Sequence, residues 1–205
     1  MKNKTILLII ALVLTLAVLA CGSSGNDIEV RESSEDNENS AQVNNDAESE
    51  ESAPEPTATK KSGTARSNPA PAGSEVVADD MAFVISGSTR PADEIVTAGN
   101  MFNTEPESDQ EYIFVTIDVT CQKSGDDKCT LYPTSNFTLI GQSGVVYEPE
   151  ILLSGVEGLF DFLDTEFYGG STISGSLPFI VSQTDTDLIL IYDPFLGDTF
   201  FLAVP

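Results

Sequence analysis

Histidine and tryptophan are absent from the 205-residue sequence, and cysteine occurs only three times. Histidine is the commonest general base in enzymes and a frequent transition-metal ligand, so its absence excludes a Ser–His catalytic triad and argues against a zinc site. The sequence also contains neither a G-x-S-x-G motif nor a glycine-rich phosphate loop. We therefore expect a protein that is not an enzyme and that needs no cofactor.

Basic residues are scarce, since nine Lys and Arg stand against 33 Asp and Glu, for a formal charge of −24. Such a chain repels phosphate backbones, which excludes nucleic acid as a partner, and it is also repelled by anionic lipid headgroups. Any partner should be cationic, neutral or metal-bearing. The simpler interpretation is that the acidic residues keep the protein soluble, and we expect a monomer.

Long apolar runs are missing except near the N-terminus, where Ile6 to Ala20 follows Lys2 and Lys4. This run is shorter than the roughly 20 residues that span a bilayer, so residues 1–20 are predicted to be a signal peptide. The end of the run, Val18-Leu19-Ala20-Cys21, resembles the lipobox of bacterial lipoproteins. The resemblance implies a lipid on Cys21, which would anchor the protein to a membrane of the bacterial cell envelope on the extracytoplasmic side. The alternative is a secreted protein with a stray cysteine.

Aromatic residues are also absent from residues 22–73, which are rich in Ser, Asn, Glu, Pro and Ala. Such a composition cannot bury enough apolar area to offset the entropy of ordering, so residues 21–73 are predicted to be a lipidated cysteine followed by a disordered linker. A random coil of this length would hold the remaining domain, residues 74–205, roughly 40 Å from the membrane. Alternatively, the acidic run could capture a basic partner.

The clearest pattern in the domain is the strict alternation of apolar residues from Ile113 to Cys121. A period of two predicts a long β-strand with one face in a core. The domain as a whole is predicted to contain about seven short strands separated by turn signals, and it has almost no helical periodicity of apolar residues. The sequence therefore predicts an all-β, antiparallel β-sandwich. Within it, Pro178 requires an edge strand or a bulge, because proline has no N–H to donate.

The order of several short segments resembles the telokin-like, immunoglobulin-fold domain of uncharacterised bacterial lipoproteins, a family that includes a mycobacterial immunoprotective extracellular antigen. The resemblance covers about residues 76–204 and depends on Ser135 to Leu139, Gly144 to Pro149, Gly170 to Gly175, and Tyr192-Asp193-Pro194. It implies an immunoglobulin-like β-sandwich and supplies no catalytic residues. Many members carry Asn-Thr where this chain has Cys121-Gln122-Lys123, so a disulfide here would be a subgroup feature.

Cys121 and Cys129 remain as a pair if Cys21 is lipidated. A disulfide in an oxidising compartment is the favoured interpretation, worth roughly 2.5 kcal/mol for a nine-residue loop in the chain-entropy model. A metal site and a redox pair are the alternatives. Two thiolates without histidine make a poor zinc site, and the spacing is not C-x-x-C.

Two further features are candidates for function. The first is an aromatic-rich connection, which either forms a binding loop or folds over the open end of the sandwich as a lid; its residues are Leu159, Phe160, Phe162, Phe167 and Tyr168. The second consists of acidic residues in turns, weak candidates for Ca²⁺ that we interpret first as solvated surface groups; they are Asp126, Asp127, Asp161 and Asp164.

Overall fold

A computed structural model of the protein describes residues 29–31 and 61–205. The predicted signal peptide, Cys21 and the linker residues 32–60 lie outside these described ranges. The strands in chain order are β1 (Glu29–Arg31), β2 (Glu75–Ala78), β3 (Met81–Thr89), β4 (Gln110–Cys121), β5 (Lys128–Leu131), β6 (Phe137–Ile140), β7 (Val146–Tyr147), β8 (Thr165–Tyr168), β9 (Thr172–Ser182), β10 (Ile189–Tyr192) and β11 (Phe200–Ala203). The helices are α1 (Asp93–Gly99) and α2 (Pro133–Asn136).

The strands form two main sheets. One has the order β1-β2-β3-β4-β9 and the other β11-β10-β6-β7, while β5 and β8 make a separate two-stranded sheet. All pairings between these strands are antiparallel. One core cluster contains side chains from both main sheets, so the sheets pack face to face. The predicted all-β, antiparallel β-sandwich is therefore confirmed.

The centre of the core is the strand predicted from its alternation. Its odd-numbered side chains from position 113 onward are buried in the main core: Ile113, Val115, Ile117, Val119 and Cys121. Opposite them, four rings join the two sheets, and centroid distances from Phe83 are 4.8 Å to Tyr192 and 5.0 Å to Phe200. Aromatic pairs at this spacing add to the burial of apolar area. The alternation therefore identified the correct face of β4.

The first half of β4 is buried on its other face as well, which the alternation did not predict. Tyr112 and Phe114 form a second cluster with Ala92 and Val96, because α1 lies across the outer face of the sheet. Helix α1 is seven residues long and has one buried residue, Val96. Fewer than two turns with one apolar contact leave no helical period in the sequence, so this helix was missed.

The packed chain begins earlier than the predicted boundary at Ser74. Ala70 is fully buried, and its N–H donates to the Phe201 carbonyl at 2.8 Å while its own carbonyl accepts from Ala203. Residues 61–70 thus run beside β11, and β1 extends the other sheet beyond β2. Together these segments close one flank of the sandwich. No helix among the described residues is long and apolar enough to cross a membrane.

Candidate functional site

On the opposite flank, the backbone of Gly158 and Phe160 forms hydrogen bonds with the edge strand β9. The N–H of Ser176 donates to the Gly158 carbonyl at 2.8 Å, and the N–H of Phe160 donates to the Ser176 carbonyl at 3.3 Å. Leu159 then packs on the outer face of the sheet with the second cluster, whereas Phe160 packs on the inner face with the main core. For these two residues the lid interpretation describes the contacts, since both side chains fold onto the sandwich.

Gly175 makes room for these contacts. A Cβ atom built on Gly175 would lie 2.8 Å from the Phe160 ring, which is closer than a carbon contact allows. Pro178, three residues along the same strand, satisfies the requirement stated from the sequence, because β9 is at the edge of its sheet. Its carbonyl accepts a hydrogen bond of 2.7 Å from the N–H of Glu150. The edge of β9 is therefore capped by backbone from the β7–β8 connection.

A cleft of about 530 Å³ lies along this edge, and we call it the β9 groove. Its walls are residues 149–154 and 159–162 on one side and 176–178 on the other. Several of its large apolar side chains remain exposed to solvent, namely Ile151, Leu153 and Phe162. An open concave surface with apolar walls is the usual setting for a bound apolar group.

The wall formed by residues 151–155 is held in place by α1 and the turn that follows it. The Asn100 side chain donates to the Ser154 carbonyl at 3.0 Å, and the N–H of Leu153 donates to the Asn103 side chain at 2.6 Å. Gly155 has φ 112° and approaches Gly99 so closely that a Cβ would lie 2.2 Å from the Gly99 carbonyl oxygen. These contacts fix the backbone of residues 153–155 against residues 99–103, and so fix the position of this wall.

The Glu150 carboxyl, which lines the groove, is perturbed by its surroundings. Burial raises the pKa of the Glu150 carboxyl above its ordinary value. Burial, followed by the negative charges of Glu150 and Asp93, raises the pKa of Tyr112 to about 12. The Tyr112 hydroxyl donates to the Thr104 carbonyl at 2.9 Å. The groove can therefore accept an apolar group together with a hydrogen-bond donor or a cation near Glu150.

The predicted aromatic loop is divided between different environments. Leu159 and Phe160 grip β9, and Phe162 is 48% exposed at the groove. Phe167 and Tyr168 belong to strand β8, not to a loop, so that part of the prediction is wrong. Phe167 is buried opposite Cys129, and Tyr168 is exposed with the Lys128 ammonium 5.3 Å from its ring centroid. A four-residue strand paired only with another short strand has too little pattern to be recognised in the sequence.

The acidic Ca²⁺ candidates are solvent-exposed turn residues. Asp127 accepts a hydrogen bond from the Ser124 hydroxyl, and Asp161 accepts one from the N–H of Leu163 at 3.2 Å. Within residues 29–31 and 61–205, no group of three His, Cys, Asp or Glu side chains is close enough together to hold a metal ion. The structure therefore does not bring Asp126, Asp127, Asp161 and Asp164 together as a site.

The cysteine pair forms a disulfide. Cys121 ends β4 and Cys129 lies in β5, with Cα atoms 5.7 Å apart, and both residues are buried. Because Cys129 is also opposite Phe167 in the β5–β8 ladder, the disulfide joins the small sheet to the centre of the sandwich. Its role here is structural.

The buried carboxylate of Asp185 organises another corner of the sandwich. Asp185 accepts hydrogen bonds from the Ser143 N–H (2.9 Å), the Ser143 hydroxyl (2.6 Å) and the Tyr147 hydroxyl (2.9 Å). Arg90 donates to its carbonyl at 2.7 Å and pairs with Glu111 at 2.6 Å. Burial by itself raises the pKa of the Asp185 carboxyl, but the bonds from Ser143 and Tyr147 outweigh it and hold the pKa below its ordinary value.

These features define a small antiparallel β-sandwich, closed on both flanks by irregular backbone and fastened internally by a disulfide. Residues 70–200 match the model of a family described as a domain of unknown function, DUF4352. The match covers more than half of the chain, which therefore belongs to that family. The matched range begins at residue 70, which is the fully buried Ala70. No curated protein matches the chain.

Solved structures that are similar to this chain include the following three. The yjhA protein of Bacillus subtilis is 13% identical, with 66% of this chain and 98% of that chain covered and a TM-score of 0.48. The candidate lipoprotein ycdA of Bacillus subtilis is 17% identical, with 63% and 38% covered and a TM-score of 0.46. An uncharacterised β-sandwich protein of Clostridium difficile 630 is 15% identical, with 74% and 99% covered and a TM-score of 0.40. The telokin-like family and the mycobacterial antigen stay predictions.

Proposed function

We propose that this protein is a lipid-anchored, extracytoplasmic β-sandwich module of the cell envelope, that it is not an enzyme, and that it binds a protein or envelope component through the β9 groove. The alternative is an envelope protein without a specific ligand. A Ca²⁺-dependent or carboxylate enzyme is a third candidate, but no observation favours it.

The observation that carries the proposal is the apolar surface left open at the groove. The same connection that packs the partly buried Leu159 and Phe160 against the sheet leaves Ile151, Leu153 and Phe162 exposed beside them. Exposed apolar side chains that line a cleft, unlike single ones on a convex surface, are characteristic of binding sites. The raised pKa of Glu150 adds a group that a cationic or hydrogen-bond-donating partner would satisfy.

Tyr168 offers a matched control for testing the groove, because it is 54% exposed against 48% for Phe162 and does not line the groove. A photo-crosslinking phenylalanine analogue at position 162 of the full chain, expressed in cells, should capture a discrete partner, and the same analogue at position 168 should not. With that partner purified, Phe162→Asp should weaken binding at least about tenfold, since a charge would face an apolar contact, while Tyr168→Asp leaves binding unchanged.

The alternative predicts a different result. If neither position yields a discrete adduct, or both yield the same diffuse adducts, the protein is better described as an envelope protein without a ligand at this groove. Thermal melting of both variants provides the control for folding, because both side chains lie at the surface.

The lipid anchor is tested separately at Cys21, which lies outside the described residues. Cys21→Ser removes the sulfur to which the lipid would be attached. Two acyl chains anchor a protein stably, and the variant would have no such anchor. We expect the variant to leave the membrane fraction while the native chain stays in it through a high-salt wash. A Cys21→Ser variant that remains membrane-bound would contradict the anchor.

A further inference from the structure

The three residues of β1 determine where the chain leaves the sandwich toward its N-terminus. Glu29 lies opposite Val77 and Arg31 opposite Glu75, so the chain before Glu29 emerges beside the β2–β3 turn at Asp79 and Asp80. We call this the hairpin end of the sandwich. The disulfide is at the same end, since Cys121 pairs with Met81 across the β3–β4 ladder.

Strand β1 is attached to the sandwich by side chains as well as by backbone. Val30 packs against the main core, and the Arg31 guanidinium is 3.1 Å from the Glu75 carboxylate. An isolated pair of exposed charges contributes little to stability, so the burial of Val30 is the more important contact. A β-strand of three residues whose apolar contact is the partly buried Val30 docks weakly enough to be removed by one substitution.

Docking of β1 shortens the tether. Seven residues, 22–28, separate Cys21 from Glu29, and even fully extended they reach only about 25 Å. Without β1, the chain between Cys21 and the packed residue 61 has 39 residues, 22–60, which as a coil spans about 35 Å on average and far more at full extension. A lipid on Cys21 would therefore hold the hairpin end toward the membrane while β1 is docked.

The hairpin end carries the two most exposed large apolar side chains among the described residues. Phe195 is 98% exposed and Leu196 is 82% exposed, both in the β10–β11 loop. The loop lies against the β2–β3 turn, because a Cβ on Gly197 would be 2.4 Å from the Asp79 carboxylate. Lys123 and Lys128 line the cleft beside Phe195, and their ammonium groups lie 4.0 Å from the Asp80 carboxylate and 2.8 Å from the Glu166 carboxylate, respectively, so the apolar pair is the feature that distinguishes this end.

We propose that Phe195 and Leu196 form a membrane-contact surface that inserts into the lipid interface, and that docked β1 orients this surface toward the bilayer. The proposal rests on the lipidation of Cys21 proposed above. The chain toward Cys21 leaves the fold at the hairpin end and is short, and the exposed Phe195 and Leu196 lie at that same end. The β9 groove, on the opposite edge of the sheet from β1, then faces sideways and stays accessible.

The absence of tryptophan allows a direct test, because a single introduced tryptophan is the sole indole in the protein. The full lipidated chain carrying F195W is reconstituted into phosphatidylcholine vesicles whose acyl chains are brominated. We expect its fluorescence to shift to shorter wavelength and to be quenched by at least about half, since bromine quenches indole only on contact. F102W is the matched control, because Phe102 is also highly exposed, at 79%, and follows α1 at the other end of β4.

The role of β1 is tested by Val30→Asp in the F195W chain, which should reduce the quenching toward that of F102W by undocking the strand. Val43→Asp, the same change at another linker valine, should leave the quenching unchanged. Retained quenching in the Val30→Asp chain would overturn the orienting role of β1.

The outcomes separate this surface from the anchor. A chain that does not float with the vesicles overturns the lipid anchor and this surface with it. A chain that floats but shows no quenching of F195W, or equal quenching of F195W and F102W, overturns the membrane-contact surface alone. A spectral shift of F195W that depends on protein concentration and not on lipid would assign the tip to contact with a second copy, which also overturns the proposal.

Discussion

Among single residues, Asp185 is notable because its carboxylate is buried and accepts three hydrogen bonds. It is 3% exposed and accepts from Ser143 and Tyr147, so it connects the β6–β7 turn to the β9–β10 turn. Gly141 permits this approach, because a Cβ there would lie 2.4 Å from the carboxylate. A buried carboxylate satisfied by neutral donors is stabilising only while it is ionised.

We expect Asp185→Asn to lower the free energy of unfolding at pH 7 by about 1–3 kcal/mol, because the amide turns a donor toward Ser143 or Tyr147. Urea denaturation measures the difference. Asp187→Asn is the control, since Asp187 is exposed and its φ of 50° suits asparagine; it should change stability little.

The same pair should show a defined pH dependence. The folded-state pKa of Asp185 is held below its ordinary value of 3.8, so the stabilisation is complete above that value and is lost as the pH falls through the folded pKa. The difference between the native chain and Asp185→Asn should therefore begin to shrink below about pH 3.8 and disappear once the pH is below the folded-state pKa. A difference that persists unchanged in acid would mean that the carboxylate charge is not its source.

Among the elements, strand β9 shows how an edge strand can be protected without another strand beside it. Its outward backbone is capped by Gly158, Phe160 and Glu150, and the side chains of Leu159 and Phe160 hold its two faces. Exposed sheet edges invite pairing with other chains, and covering them with a loop prevents it. The same loop then forms the wall of the β9 groove, so protection of the edge and formation of the groove have one structural cause.

Gly175→Ala should destabilise the protein by about 1–2 kcal/mol, because the added methyl forces the Phe160 ring out of place. In a Phe160→Ala background the same change should cost almost nothing. Thermal melting of the two single variants and the double variant measures this coupling. Gly125→Ala, where a Cβ meets nothing within 4 Å, is the control. Additive effects at positions 160 and 175 would contradict the contact.

In the molecule as a whole, part of the sandwich is formed by residues 61–73, a segment whose composition predicts a linker. Residues 61–73 have no aromatic residue, yet Ala70 is fully buried between the β11 backbone and the core. A small residue can be essential to packing because it lets two backbones approach, and this contribution does not appear in its hydropathy.

Ala70→Asp should therefore lower the free energy of unfolding by about 3–5 kcal/mol, the range for an uncompensated buried charge. Ala72→Asp, two residues away on the exposed side of the same segment, should have no comparable effect. Chemical denaturation of the two variants provides the comparison. Equal stability of both variants would mean that the segment does not belong to the folded unit.

The sequence was most informative where a pattern was long. The alternation from Ile113 to Cys121 identified the central strand and its core face, and the turn signals located most of the other strands. Pro178 was correctly restricted to an edge. Several short elements were missed, including α1, β5 and β8, because a seven-residue helix makes fewer than two turns and a four-residue strand contains only two periods of alternation. The aromatic-rich connection is divided in a way that could not be predicted either: Leu159 and Phe160 pack on β9, Phe162 lies at the groove, and Phe167 and Tyr168 belong to β8.

The sequence by itself determined the fold class, because alternating apolar residues specify strands with one face in a core; the anchor at Cys21 stays a prediction. Only the tertiary structure decided which polar and aromatic residues act together. Asp185 meets Ser143 across 42 positions, and Phe160 meets Gly175 through the curvature of a loop around an edge. The physical reason is that alternation is a local consequence of strand geometry, whereas the groove, the buried carboxylate and the exposed tip depend on contacts between segments that have no common pattern.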